Sequence, residues 1–274
     1  MRACPSTHST YTETMQQSPS ISVFANSLEA SKQLALDVSS LIYKLNQSDH
    51  YAVLGLATGS TPKAFYRELI RLHHEENLSF KKVITFNLDE YLGLPANHPE
   101  SYHSFMREQL FDHIDLPPSQ AHVPQGIVDD VARHCADYEQ AIAEVGGLDF
   151  QLLGIGRTGH IGFNEPGSPR DCRTRAIELD ELTRRDTADA FGGIEHVPTH
   201  AITMGCGTIL EARRIALMAF GKNKMDIVRE ALEGPITDQV SASFLREHPC
   251  ARFLLDPEAA SALTPPIEPR KMSE

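Results

Sequence analysis

Beyond position 20, short apolar runs alternate with segments whose apolar side chains recur every three or four residues. The runs at 21–25, 52–56, 82–87, 149–153, 201–204, 215–220 and 251–255 have the length of strands, and several are almost wholly apolar, as strands covered on both faces are. Between them, 27–46 sets Leu34, Val38, Leu41, Ile42 and Leu45 on one helical face, and 62–76 does the same with Phe65, Leu69 and Leu72. Further helical segments fall at 102–112, 129–145, 223–233 and 242–248. This alternation predicts an α/β fold: a single doubly wound, mostly parallel sheet with helices on both faces, a Rossmann-like three-layer sandwich. No repeat or linker divides 21–256, which reads as one domain. The polar stretch 1–20 reads as a flexible N-terminal tail, and 257–274, with Pro265, Pro266 and Pro269 among charges, as a C-terminal tail.

Three of the predicted strands run into turns that can carry chemistry. The first ends in Leu54-Gly-Leu-Ala-Thr-Gly-Ser-Thr-Pro62, where Thr61 is placed to cap the next helix and Pro62 to occupy its first position. A helix start offers unpaired N–H groups to an anion, and Thr58, Ser60 and Thr61 beside Gly59 add hydroxyl donors. An ordinary capped turn has the same composition. The second strand finishes in Asp89 and Glu90, beyond which an open α/β sheet keeps its ligand crevice. A carboxylate there can serve as a general base, or it can simply cap a turn. The third leads into Gly154-Ile-Gly-Arg-Thr-Gly-His-Ile-Gly-Phe-Asn-Glu-Pro-Gly167, whose glycines admit a small ligand close to the backbone. Within it Glu165 is able to orient the His160 imidazole, although a lone histidine can equally be structural. His98, Glu100 and His103 lack metal-ligand spacing, so no metal is expected.

Charge changes this picture in one respect. With 25 Lys and Arg against 37 Asp and Glu, the net charge of -12 disfavours nucleic acid and anionic membranes as partners, so a phosphate site must be built from local donors. The five cysteines are scattered and form no C-x-x-C pair, which suits a reducing cytoplasm. No apolar stretch approaches the ~20 residues of a membrane span, and the first twenty residues lack the apolar core of a signal peptide.

Taken in order, the segments LGLATGSTP, TFNLDEYLGL, HPESYHSFM, GIGRTGHIGFNEPGS, AITMGCGTILEARRI and FGKNKMDIVREALEGPI resemble the glucosamine-6-phosphate deaminase (isomerase) family, whose superfamily includes 6-phosphogluconolactonases. The resemblance spans about 21–256. It implies an aldose-ketose isomerisation coupled to deamination, in which D-glucosamine 6-phosphate and water give D-fructose 6-phosphate and ammonia, without cofactor or metal. By match to the family motif, Asp89 is the base that moves a proton between C2 and C1, and His160, oriented by Glu165, assists ring opening. The 58–61 turn, Gly156 and Lys224 of GKNK hold the sugar phosphate.

Two positions depart from the family pattern. Thr158 stands where many members carry an Asp in the histidine relay, and Asp189 falls near the place of a phosphate-binding Arg, for which Arg184 or Arg185 is the available substitute. Altered kinetics, a different amino-sugar phosphate, a sugar-phosphate-binding regulator without turnover and a lactonase therefore stay open. Some members are activated by N-acetylglucosamine 6-phosphate. Here Arg175 is available but Ile177 is apolar, and that regulation is not expected. Members range from monomers to hexamers, and no interface stripe selects a state, so a homo-oligomer remains open.

Overall fold

The computed structural model describes residues 19–265 and 267. In chain order its strands and α-helices are β1 (Ser20–Val23), α1 (Ser27–Gln47), β2 (Ala52–Leu56), α2 (Lys63–Glu76), β3 (Val83–Asn87), β4 (Asp89–Tyr91), α3 (Tyr102–Gln109), β5 (Ala121–His122), α4 (Val131–Glu144), β6 (Phe150–Leu153), β7 (Arg175–Glu178), α5 (Glu181–Phe191), β8 (His200–Thr203), α6 (Cys206–Leu210), β9 (Ile215–Ala219), α7 (Met225–Glu233) and β10 (Ala251–Leu255). Seven strands form one sheet in the order β1-β10-β9-β6-β2-β3-β5, every adjacent pair parallel. Helices flank it in a three-layer α/β sandwich. The residues of β2, β6 and β9 are all buried, which accounts for their unbroken apolar reading.

The helices form where periodicity and capping agree. Asn26 accepts the Glu29 amide at 2.9 Å and starts α1, whose Leu34, Val38, Leu41 and Ile42 are buried. Burying one such side chain contributes roughly 1.5–3 kcal/mol relative to leaving it exposed. Ser101 and Asp130 cap α3 and α4 in the same way. The 102–112 helix ends early, at Gln109, with a 3-10 turn beyond it, and 242–248 is a 3-10 helix over Ser241–Glu247.

One strand lies elsewhere than the alternation predicts. The 201–204 run is not in the parallel sheet; β8 is the middle of a separate three-stranded sheet, antiparallel to both β4 and β7. Its apolar residues report burial, which does not fix strand direction. The chain also keeps packing past 256, with Ala259, Ala260 and Leu263 buried. Residues 1–18 of the N-terminal tail reading, and 266 and 268–274 of the C-terminal one, lie outside the described residues. Among the described residues no helix is long and apolar enough to cross a membrane.

The strand order sets the place of the site. From β2 the chain runs outward through β3 and β5, then returns to add β6 on the other side of β2. The carboxyl ends of β2 and β6 therefore diverge, leaving a crevice at the switch point.

Candidate active site

That crevice holds a cavity of about 240 Å³, walled by 57–61 after β2, Leu88 and Asp89 after β3, Tyr102, and Gly154, Ile155, Gly156, His160, Gly162 and Phe163 after β6. A larger cavity of about 570 Å³ opens at the opposite ends of the strands, among Leu34, Val38, Leu41, Phe150 and Ile215. It is predominantly apolar; its charged lining includes Asp37, paired with Arg252, and Arg214.

At the first turn Gly59 has φ +96°, a left-handed conformation that only glycine adopts without strain. The helix begins at Lys63 with Pro62 at the cap position, and the Tyr66 amide donates to Pro62 O at 3.0 Å. Thr61 is thus one residue before the cap and does not close the helix as its spacing predicts. The proline ring already fixes the helical φ, so no side-chain cap is required. The consequence favours ligand binding: the amides of Gly59, Ser60 and Thr61 and the hydroxyls of Ser60 and Thr61 have no hydrogen-bond partner among the described residues. Successive free donors at a turn form a nest for an anion.

Asp89 opens β4, paired with Thr203 of β8, and the residue is 5% exposed. Its carboxyl accepts no hydrogen bond among the described residues. Burial, reinforced by the neighbouring Glu90 charge, pushes its pKa up to about 8. The pleat sends Glu90 to the other face, where its carboxylate accepts the amides of Tyr91 at 2.9 Å, Tyr102 at 2.8 Å and His103 at 3.2 Å. Burial outweighs those bonds and raises Glu90 to about 7. Glu90 therefore anchors the start of α3 and forms no wall of the cavity. If Asp89 is the base, log kcat/KM should climb with pH and level off near 8, because only the ionised form accepts a proton. A pH-rate profile corrected for substrate ionisation checks this; a limb below about 6 would assign the base elsewhere.

His160 Nδ1 lies 3.0 Å from Glu165 Oε2 and 2.9 Å from Thr158 Oγ1. Burial alone would raise the Glu165 carboxyl. The hydrogen bond and charge of His160, with Thr183 and the Asp180 amide, outweigh it and hold the group below its ordinary value. An ionised Glu165 can only accept, so Nδ1 presents its proton to the carboxylate and Nε2 is the nitrogen left to face the cavity. The ring rests on Gly156, where an added Cβ would come 2.1 Å from His160 Nε2. Thr158, the position that departs from the family pattern, thus also reaches the imidazole at Nδ1. Asn164, next to Glu165, donates to Ile161 O at 2.8 Å and Met204 O at 2.9 Å and pins the turn to the end of β8.

The basic groups divide unevenly. The Lys224 ammonium donates to Ile155 O at 2.7 Å, immediately behind the cavity wall, and burial lowers its pKa. Arg184 donates to the Ile194 and Val197 carbonyls at 2.9 and 3.2 Å, and Arg185 pairs with Glu181 on the exposed face of α5. Neither lines the cavity, and neither does Lys224. Arg157, next to Gly156, pairs with Asp186 at 2.9 Å on an exposed face and does not line the cavity either. The sequence reading missed Tyr102 and Phe163 as walls, although both lie inside motif segments.

The chain matches, over residues 25–254, the family model described as glucosamine-6-phosphate isomerases/6-phosphogluconolactonase. It is 51% identical over 210 residues to glucosamine-6-phosphate deaminase 1 of Bacillus subtilis (strain 168), covering 77% of this chain and 87% of that one. A solved monomeric glucosamine-6-phosphate deaminase superposes with TM-score 0.86 at 45% identity, over 89% of this chain and all of the other (100%). The 6-phosphogluconolactonase of Trypanosoma brucei shares the fold, with TM-score 0.74 at 24% identity over 90% of this chain and 99% of that one.

Proposed function

The chain belongs to the family of glucosamine-6-phosphate isomerases and 6-phosphogluconolactonases, and from that membership together with the site we infer that it converts D-glucosamine 6-phosphate and water to D-fructose 6-phosphate and ammonia. The observation that carries this reading is the unpaired, buried Asp89 carboxyl in the same cavity as the His160–Glu165 pair and the free donors of 59–61.

The proposed sequence of events follows from those groups. The phosphate docks on the 59–61 amides and the Ser60 and Thr61 hydroxyls, with Lys224 supplying positive charge behind them. His160 Nε2 takes the C1 hydroxyl proton of the cyclic sugar and returns it to the ring oxygen as the C1–O5 bond breaks. Asp89 then removes the proton from C2 of the open aldehyde, and the resulting enolamine is protonated at C1. The ketimine at C2 is hydrolysed, releasing ammonia and the ketose. Removing a proton next to a carbonyl calls for a positioned base, and general acid-base help contributes about 10²- to 10⁴-fold. Binding energy from the remote phosphate holds the reacting carbon against that base.

Assaying ammonium and fructose 6-phosphate from the 6-phosphates of glucosamine, galactosamine and N-acetylglucosamine, with 6-phosphogluconolactone alongside, tests the reading. Turnover of glucosamine 6-phosphate is expected; lactone hydrolysis alone would overturn it. Lys224→Ala should raise KM about tenfold to a hundredfold with kcat nearly unchanged, the signature of a lost positive charge that favours the bound phosphate in ground and transition states alike. Turnover of glucosamine lacking the phosphate should not respond to that change. The described monomeric state of the solved deaminase supports a monomer here too, which light scattering would test.

A further inference from the structure

The turn after His160 returns to pack on the end of β8, and two cysteines meet there. Cys172 is half-buried and Cys206, the first residue of α6, is fully buried. The Cys206 amide donates to Cys172 Sγ at 3.2 Å, and the Gly207 amide donates to Cys172 O at 3.0 Å. The backbones touch: a Cβ on Gly205 would stand 2.0 Å from Cys172 O. Cys172 Sγ also donates to Asn164 Oδ1 at 3.5 Å. Arg175 donates to that same Asn164 oxygen at 2.8 Å and to Ser168 at 2.9 Å.

We propose that Cys172 and Cys206 form a redox-modification site, at which a peroxide oxidises Cys172 and Cys206 resolves it to a reversible disulfide. The chemistry balances with the peroxide as the only co-reactant. Cys172 thiolate attacks one peroxide oxygen; the S–O bond forms as the O–O bond breaks, and the departing hydroxide takes a proton to become water. The Cys206 sulfur then attacks the sulfenic sulfur; the S–S bond forms, the S–O bond breaks and a second water leaves. Two thiols are oxidised by two electrons and one peroxide is reduced.

The surroundings assign the two roles. The neighbouring Cys206, whose amide donates to Cys172 Sγ, and the Arg175 charge bring the Cys172 thiol down, while the adjacent Cys172 and burial push Cys206 up. The more exposed sulfur is therefore the nucleophile and the buried one the resolver. A disulfide would remove the contact of Cys172 with Asn164 and bind the 161–172 turn to α6. Because Asn164 precedes Glu165, the strain is delivered to the group that orients His160.

The test is peroxide treatment of the whole protein, followed by peptide mapping and by turnover, of which only the second rests on the proposed function. A linked Cys172–Cys206 peptide is expected, and with it a kcat lower by about tenfold to a hundredfold. Dithiothreitol should reverse both changes. Cys172→Ser should keep its activity under the same treatment, and Cys206→Ala should leave a sulfenic acid at Cys172 that dimedone traps. No linked peptide in the wild type, or equal peroxide sensitivity of Cys172→Ser, would overturn the proposal. Mapping the wild type needs no variant, so a folding defect at the buried position does not remove the test.

Discussion

Asp89→Asn is expected to lose ammonium release by at least about a thousandfold while binding the sugar phosphate almost as tightly as the parent. The amide has the shape of the acid but no basic lone pair of comparable strength, and the phosphate donors at 59–61 are untouched. The same change should stabilise the protein. In the folded chain Asp89 has its pKa raised to about 8, above the ordinary 3.8, so the folded state holds a proton that the unfolded state has released between those values. The parent therefore loses stability as pH rises through that window, and the variant does not. Melting temperatures should differ most above pH 8, in favour of Asn, and converge toward pH 4. Full turnover would remove Asp89 from the mechanism. A melting difference independent of pH would remove the buried charge as its cause.

The second large effect is expected from Gly156→Ala. The new methyl carbon would sit 2.1 to 2.4 Å from three atoms of the His160 ring, so the imidazole must leave its place and its contacts with Glu165 and Thr158. Displacing a reacting group by about an ångström costs roughly a hundredfold in kcat/KM. The backbone at 156 does not take the left-handed conformation of Gly59, so steric conflict is the operative term. Kinetics with parallel thermal melts check this. A variant that keeps kcat/KM within about threefold would show that the ring position is not critical.

Much of the arrangement was legible because it is local. Periodicity located six of the seven parallel strands, all but the two-residue β5, and the turns after 56, 87 and 153 read as chemistry because catalytic groups sit where such strands end. Several features depend on three dimensions. Asp89 and Glu90 are neighbours of the same type, and only the pleat decides that one meets the cavity while the other holds α3. Arg184 and Arg185 look available in sequence but bond carbonyls and Glu181 in the fold. The α5 helix itself was missed because Thr183 is its only buried residue and it carries no apolar stripe. The antiparallel direction of β8 has no signature in a four-residue run. The contact of Thr158 with His160 required the coordinates of both side chains.

Leu88 is where the two sheets meet. Its amide donates to Leu56 O, at the end of β2, at 3.0 Å, and its carbonyl accepts the Met204 amide, at the end of β8, at 2.6 Å. The free donors of 59–61, where the proposed phosphate docks, belong to the first of these bodies and Asp89 to the second, so a single peptide gauges the span between them. The molecule thus works as a caliper: a sugar phosphate one carbon shorter or longer would offer the wrong atom to the base, whatever its affinity.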